Sequence, residues 1–169
     1  MAANTGTARS QDKQIVIERE FEAPLELFWK AWTETPHIEK WFGPEGFDTK
    51  VKENDFRVGG KFDYVMTGQD GKEYPGVGDF KEITSLKKIV STDSFGEDIK
   101  KSMPNADLPK GTMTVTTSFE PIDENSTKLT ILIDHESVED RKKHEAMQVV
   151  AGWQSSFNKL DKYLAEIQK

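Results

Sequence analysis

Cysteine is absent from the 169 residues, which excludes a disulfide framework, a thiolate zinc site and thiol catalysis together. No apolar run approaches the roughly 18 residues needed to span a bilayer, and residues 1–14 lack the apolar stretch of a secretory leader. A cytoplasmic protein without a membrane span is therefore the expectation. Basic charge is also in short supply. The 23 Lys and Arg are outnumbered by 30 Asp and Glu and interspersed among them, for a net charge of −7. No basic stripe is left to neutralise phosphates, so nucleic acid is not an expected partner. Gly-x-Ser-x-Gly, phosphate-cradling glycine loops and His-x-x-x-His spacing are missing as well. His37, His135 and His144 fall on separate elements, so neither a metal nor another cofactor is expected. Asn125-Ser126-Thr127 matches a glycosylation sequon, which without a leader never meets the machinery.

What the chain does contain is aromatic surface. Only 35% of residues are hydrophobic, but ten Phe, four Trp and three Tyr are among them, so large rings must fill the one core that a chain of this length builds. Residues 1–13 are small and polar without periodicity and are expected to form a disordered tail, followed by a single domain over 14–169. Ile15, Ile17, Arg19 and Phe21 alternate with Val16, Glu18 and Glu20, the period of a half-buried strand. Pro24 then admits a helix in which Leu25, Phe28, Trp29 and Trp32 recur at helical spacing, and a second short helix runs from Pro36 to Trp41.

From Phe47 to Ile133 the period is two, interrupted by Gly59-Gly60, by the hairpin signal Asp70-Gly71 and by Asn125-Ser126. Strands are expected at Phe47–Val51, Phe62–Met66, Val77–Ile83, Lys88–Phe95, Thr112–Phe119 and Leu129–Ile133, about seven in all with the first. Ser137 and Asp140 can cap a helix, and Val150, Trp153, Phe157, Leu160, Leu164 and Ile167 repeat every three or four residues. Strands joined by tight turns form a meander, and its one apolar face needs a cover. The long C-terminal helix is the only element of sufficient length. The expected class is α+β, a curved antiparallel sheet wrapped around that helix.

Several segments carry a resemblance. Trp41-Phe42-Gly43-Pro44-Glu45-Gly46, Asp55-Phe56-Arg57-Val58-Gly59-Gly60-Lys61-Phe62, Asp70-Gly71, Gly78-Asp79-Phe80-Lys81-Glu82-Ile83 and Gly152-Trp153 followed by Leu160-Asp161-Lys162-Tyr163-Leu164 together resemble the SRPBCC superfamily. More narrowly, they resemble homologues of the activator of the 90-kDa heat-shock protein ATPase, over about residues 14–168. The resemblance implies the helix-grip (START-like) fold, with a cavity between helix and sheet. Relatives use that cavity for lipids, polyketides or other apolar ligands. It implies no fixed chemistry, because members include binding proteins, cyclases and co-chaperone domains. Non-enzymatic binding of a hydrophobic small molecule is the leading expectation. A co-chaperone-like domain with a chaperone partner and a cyclase-like enzyme are the alternatives.

The expected cavity lining is Phe28, Trp32 and Trp41 from the short helices, Phe62, Tyr64, Met66, Phe80, Met113 and Val115 from the sheet, and Trp153 and Phe157 from the long helix. The same side chains can equally well fill a solid core. Tyr64 discriminates, since a buried phenol needs a partner. Gly152, which costs about 1 kcal/mol relative to Ala inside a helix, leaves room either for a ligand or for close approach of helix to sheet. Gly59-Gly60 is expected to bend the sheet. The segment Gly96 to Gly111, with Met103 and Leu108 before prolines, is either a lid over the cavity mouth or an ordinary surface insertion. Asp134-His135-Glu136 closes a strand, where such residues are normally solvated, and no catalytic residue is assigned.

Overall fold

The computed structural model describes residues 6–95, 99 and 103–169. Eight strands form one antiparallel sheet: β1 (Thr7–Gln11), β2 (Gln14–Phe21), β3 (Asp48–Asn54), β4 (Lys61–Thr67), β5 (Glu73–Thr84), β6 (Lys88–Phe95), β7 (Met113–Asp123) and β8 (Ser126–Asp134). Their order is β1-β2-β8-β7-β6-β5-β4-β3. Strands β3 to β8 follow one another as a meander. The long-range step is β2 against β8, in register from Gln14↔Asp134 to Phe21↔Thr127. Helices α1 (Leu25–Thr33) and α2 (Thr35–Trp41) connect β2 to β3, and α3 (Val138–Ala146) and α4 (Val149–Ile167) follow β8. This is the expected helix-grip class, with α4 held in the concave sheet.

Two details depart from the sequence expectations. Thr7–Gln11, placed in the tail, form β1 and make an eighth strand, paired with β2 from Thr7↔Glu18 to Gln11↔Gln14. All five side chains of β1 are exposed. Backbone pairing with a strand edge holds this segment, and an apolar pattern does not register that kind of pairing. The C-terminal helix, read as continuous from Ser137, is broken in two. Ser137 caps α3 by accepting the Asp140 N–H at 3.0 Å, but Gln148 takes a left-handed conformation with φ 64° and starts α4 in a new direction. No glycine or proline marks the break.

The core occupies the end of the grip near β2, β8 and α1. Phe21, Phe28, Phe157 and Leu160 are fully buried. Phe21 stacks on Phe28 with centroids 4.9 Å apart and meets the edge of Phe157 at 5.3 Å, distances at which ring pairs add to their area burial. Trp41 is buried in α2 and satisfies its indole N–H on the Ala31 carbonyl at 2.9 Å. Arg19, buried on the concave side of β2, donates to Gln154, Asn158 and Asp161 of α4. Those three residues lie on one face of the helix at spacings of four and three. The guanidinium thus fixes the register of α4 against the sheet. At the other end, Gly59 has φ 85° and a Cβ on Gly60 would lie 1.8 Å from the Asp55 carbonyl. The expected bend is there, and both residues bond to Phe80 across it. Among the described residues no helix is long and apolar enough to cross a membrane.

Candidate ligand cavity

The concave face of the sheet follows from the strand registers. Tyr64 of β4 lies opposite Gly76 of β5, which lies opposite Phe95 of β6, and Phe62 lies opposite Gly78. Asp93 pairs with Met113 and Ser91 with Val115. Side chains directly opposite share a face, so β5 presents two glycines in succession where its neighbours carry large or polar groups. The ring of Tyr64 occupies this trough: a Cβ on Gly76 would sit 2.4 Å from its Cζ and Oη. Only glycine lets the phenol lie flat across β5 toward β6. A Cβ on Gly78 would strike the Thr92 carbonyl at 1.8 Å, so β5 and β6 also approach closely there.

Two adjoining chambers lie between this face and the N-terminal part of α4. The first, about 120 Å³, is lined by Trp32, Trp41, Phe56, Phe62, Phe80, Ser91 and Thr117 among others. The second, about 300 Å³, is lined by Pro44, Met66, Tyr74, Gly76, Phe95, His144 and Gly152 among others. Phe42, Tyr64, Asp93, Val115 and Trp153 line both and form their junction. Phe42 packs edge-on to Tyr64 at 5.1 Å and to Trp153 at 5.8 Å.

Of the residues expected to line a cavity, Trp32, Trp41, Phe62, Tyr64, Met66, Phe80, Val115 and Trp153 lie on the chamber walls. Phe28, Met113 and Phe157 do not. They are 0%, 2% and 0% exposed, and they close the core instead. Gly152 faces space: a Cβ there would meet only Pro44 Cγ, at 3.8 Å. The close-approach explanation is thereby excluded, and the glycine enlarges the second chamber. Of the expected lid, residues 96–98 and 100–102 lie outside the described residues. Met103 lines the second chamber, whereas Leu108 lines an outer pocket that shares Ser94, Phe95 and Ile99 with it.

Asp93 is the residue that pattern reading missed. It lies within the Ser-Thr-Asp-Ser stretch of β6, where period-two alternation is weakest, and only the register reveals its direction. It lines both chambers, and desolvation, opposed in part by the Ser94 N–H, raises its pKa to about 7. Tyr64 is pushed well above the usual phenol range by burial first and by the Asp93 carboxylate second. No hydrogen-bond partner of the Tyr64 hydroxyl is found among the described residues. The phenol expected to need a partner instead offers a free group to the cavity.

The histidines were expected to be scattered, yet two of them meet. His135 Nδ1 lies 2.7 Å from the Lys13 carbonyl and must donate to it, which in the neutral ring leaves Nε2 to accept from His144 Nδ1 at 2.9 Å. Desolvation, then His135, lowers the His144 pKa to about 4. The expectation that His135 is solvated is corrected, since it is 3% exposed; β8 ends against α3 rather than in solvent. The pair sits beside a clamp in which Asp140 accepts the Lys110 and Gly111 N–H groups at 3.0 and 2.9 Å, and Glu136 accepts that of Thr112 at 2.7 Å. The Asp140 bonds tether Lys110 and Gly111, at the end of the rim segment from Met103 to Gly111, to α3. Among the described residues no group of three His, Asp or Glu is placed to hold a metal ion.

A family model described as Activator of Hsp90 ATPase homolog 1-like protein matches residues 22–165. The chain belongs to this family. The match covers α1 through most of α4 and therefore both chambers. Among solved structures, a protein from Arthrobacter aurescens is 27% identical, with TM-score 0.82 over 95% of this chain and 91% of its own. A Mycobacterium smegmatis protein is 28% identical, with TM-score 0.80 over 95% and 96%. An AHSA1 protein from Silicibacter pomeroyi, at 22% identity and TM-score 0.69 over 90% and 97%, shares the fold. No curated protein matches the chain.

Proposed function

We propose that this member of the family binds an apolar small molecule, of lipid or polyketide type, in the two chambers between α4 and the concave sheet, without a cofactor and without turnover. The observation that carries this reading is the larger chamber of about 300 Å³, at the lower end of the range of small-molecule sites, continuous with aromatic walls and widened by a helix glycine. Apolar burial supplies affinity at about 25 cal/mol per Å², and Tyr64 and Asp93 orient the ligand's polar end. The rim segment with Met103 and Leu108 serves as the lid, held at its base by Asp140.

The test is a titration of fatty acids, sterols and flavonoids followed by melting temperature and amide shifts. Shifts concentrated on Met66, Val115 and Gly152 are expected, with loss of binding in Gly152→Phe, whose ring enters the larger chamber. A panel that moves neither melting temperature nor amides, with apolar amines and alcohols equally inactive, defeats the reading. One observation favours a second reading: a carboxylate inside the cavity is the acid or base that a cyclase-like enzyme needs, and product formation from a bound ligand, lost in Asp93→Asn, would establish it. The co-chaperone-like reading rests on family membership alone.

A further inference from the structure

Among the described residues the charge of the cavity is of one sign. Among the described residues that line the two chambers there is no Lys or Arg, whereas Asp93 lies at their junction; Asp79 is exposed and alternates with Gly78 and Phe80, so its carboxylate lies on the other face of β5. Two described cations close to the cavity are engaged elsewhere. Lys159 donates to the Gly43 and Phe47 carbonyls at 3.1 and 3.2 Å, and Arg19 is held by three side chains of α4. His144, on the wall of the second chamber, is neutral at neutral pH because desolvation depresses its pKa to about 4. A carboxylate without a cation in an apolar cavity is costly to ionise. A ligand that brings the cation removes that cost.

The junction also has the other features of a cation site. Phe42 and Trp153 stand there, edge to face at 5.8 Å from one another, and neighbouring aromatic rings suit a desolvated cation better than aliphatic walls do. The Tyr64 hydroxyl is free of protein partners among the described residues and offers a second acceptor beside the carboxylate. Resting on the binding function proposed above, we propose that the cavity selects an apolar molecule bearing a primary amine, whose ammonium group lies at the chamber junction between the Asp93 carboxylate and the Tyr64 hydroxyl, against Phe42 and Trp153. Fatty acids and other anions are disfavoured by the same arrangement, since a second negative charge would face Asp93 with no cation of the described lining between them.

Three probes with one bicyclic body separate the head group from the apolar part: 2-naphthylmethylamine, 2-naphthylmethanol and 2-naphthylacetate. Titration calorimetry of the whole chain at about pH 8 is expected to rank the amine about tenfold or more above the alcohol, with the carboxylate weakest. Asp93→Asn brings the amine down to the alcohol, whereas Asp79→Asn, which tests for general negative charge, leaves the ranking intact. Equal affinity of the three probes for the wild-type chain, a preference for the carboxylate, or an amine preference that survives Asp93→Asn overturns the inference and leaves the cavity reading standing. Absence of binding by all three probes and by the lipid, sterol and flavonoid panel defeats both.

Discussion

The two ends of the grip are built from the same kinds of residue and come out differently. Near β2 and β8, rings interlock: Phe21, Phe28 and Phe157 touch at about the separations of paired aromatics, and none reaches a chamber. Near β4, β5 and β6, equally aromatic, the rings stand around space. What differs is what stands between the rings. The closed end has Ile15, Ile17, Leu129 and Ile131 between its rings, and the open end has Gly76, Gly78 and Gly152. Branched aliphatic side chains fill the gaps that rings leave, whereas at the open end Gly76 lets the Tyr64 ring lie back against β5 and Gly152 faces open space. Hollowness is therefore written in what stands between the rings more than in the rings themselves.

The comparison is broken most strongly at the closed end. Phe157→Ala removes a ring with no solvent-filled space to yield into, and a loss of about 3–5 kcal/mol is expected in denaturant unfolding. The same truncation at Trp153, on the chamber wall, should cost distinctly less. Equal losses would mean that the two ends are packed alike.

A second, smaller effect isolates the charge at the open end. The folded pKa of Asp93 is raised to about 7 from 3.8, so between those values the folded state holds more protons than the unfolded one, and stability contributed by the neutral carboxyl declines as pH rises through 7. His144 works in the opposite sense. Its folded pKa near 4 lies below the ordinary 6.5, so stability is lost as pH falls from 6.5 through 4. The two slopes oppose each other between about 4 and 6.5, and only the Asp93 loss continues to 7. Asp93→Asn should remove that decline and raise stability at pH 8 by on the order of 2 kcal/mol, discounted for water in the chambers. Unfolding curves at pH 5 and pH 8 read it directly, and an unchanged difference between the two would place the carboxylate in ordinary solvent.

The smallest effect sharpens the role of the helix glycine. Gly152→Ala has room for its methyl group and should stabilise the chain by about 0.4–1 kcal/mol through helix propensity and a less flexible unfolded chain. It should also weaken binding of the bulkiest ligands in the panel. Destabilisation instead would mean that the methyl group meets the sheet.

Local periodicity was enough to identify most strands, both short helices and the apolar face of α4, because those follow from alternation at two and recurrence at three to four residues. It also identified eight of the chamber-wall residues, since an inward-facing ring lines the interior whether that interior is full or hollow. It could not separate Phe28, Met113 and Phe157 from them. Membership of a solid core or of a cavity wall depends on what stands opposite, tens of residues away. The exposed strand β1 and the break at Gln148 escaped for a related reason: backbone pairing at an edge and a left-handed glutamine leave no apolar pattern.

The sequence by itself determined a single helix-grip sheet rich in rings, because binary pattern and turn chemistry act over neighbouring residues. Only the tertiary structure decided that Asp93 faces Tyr64 across the glycines of β5 and that His135 meets His144. Register is a relation between distant strands, and a one-residue slip would have turned each of these groups away.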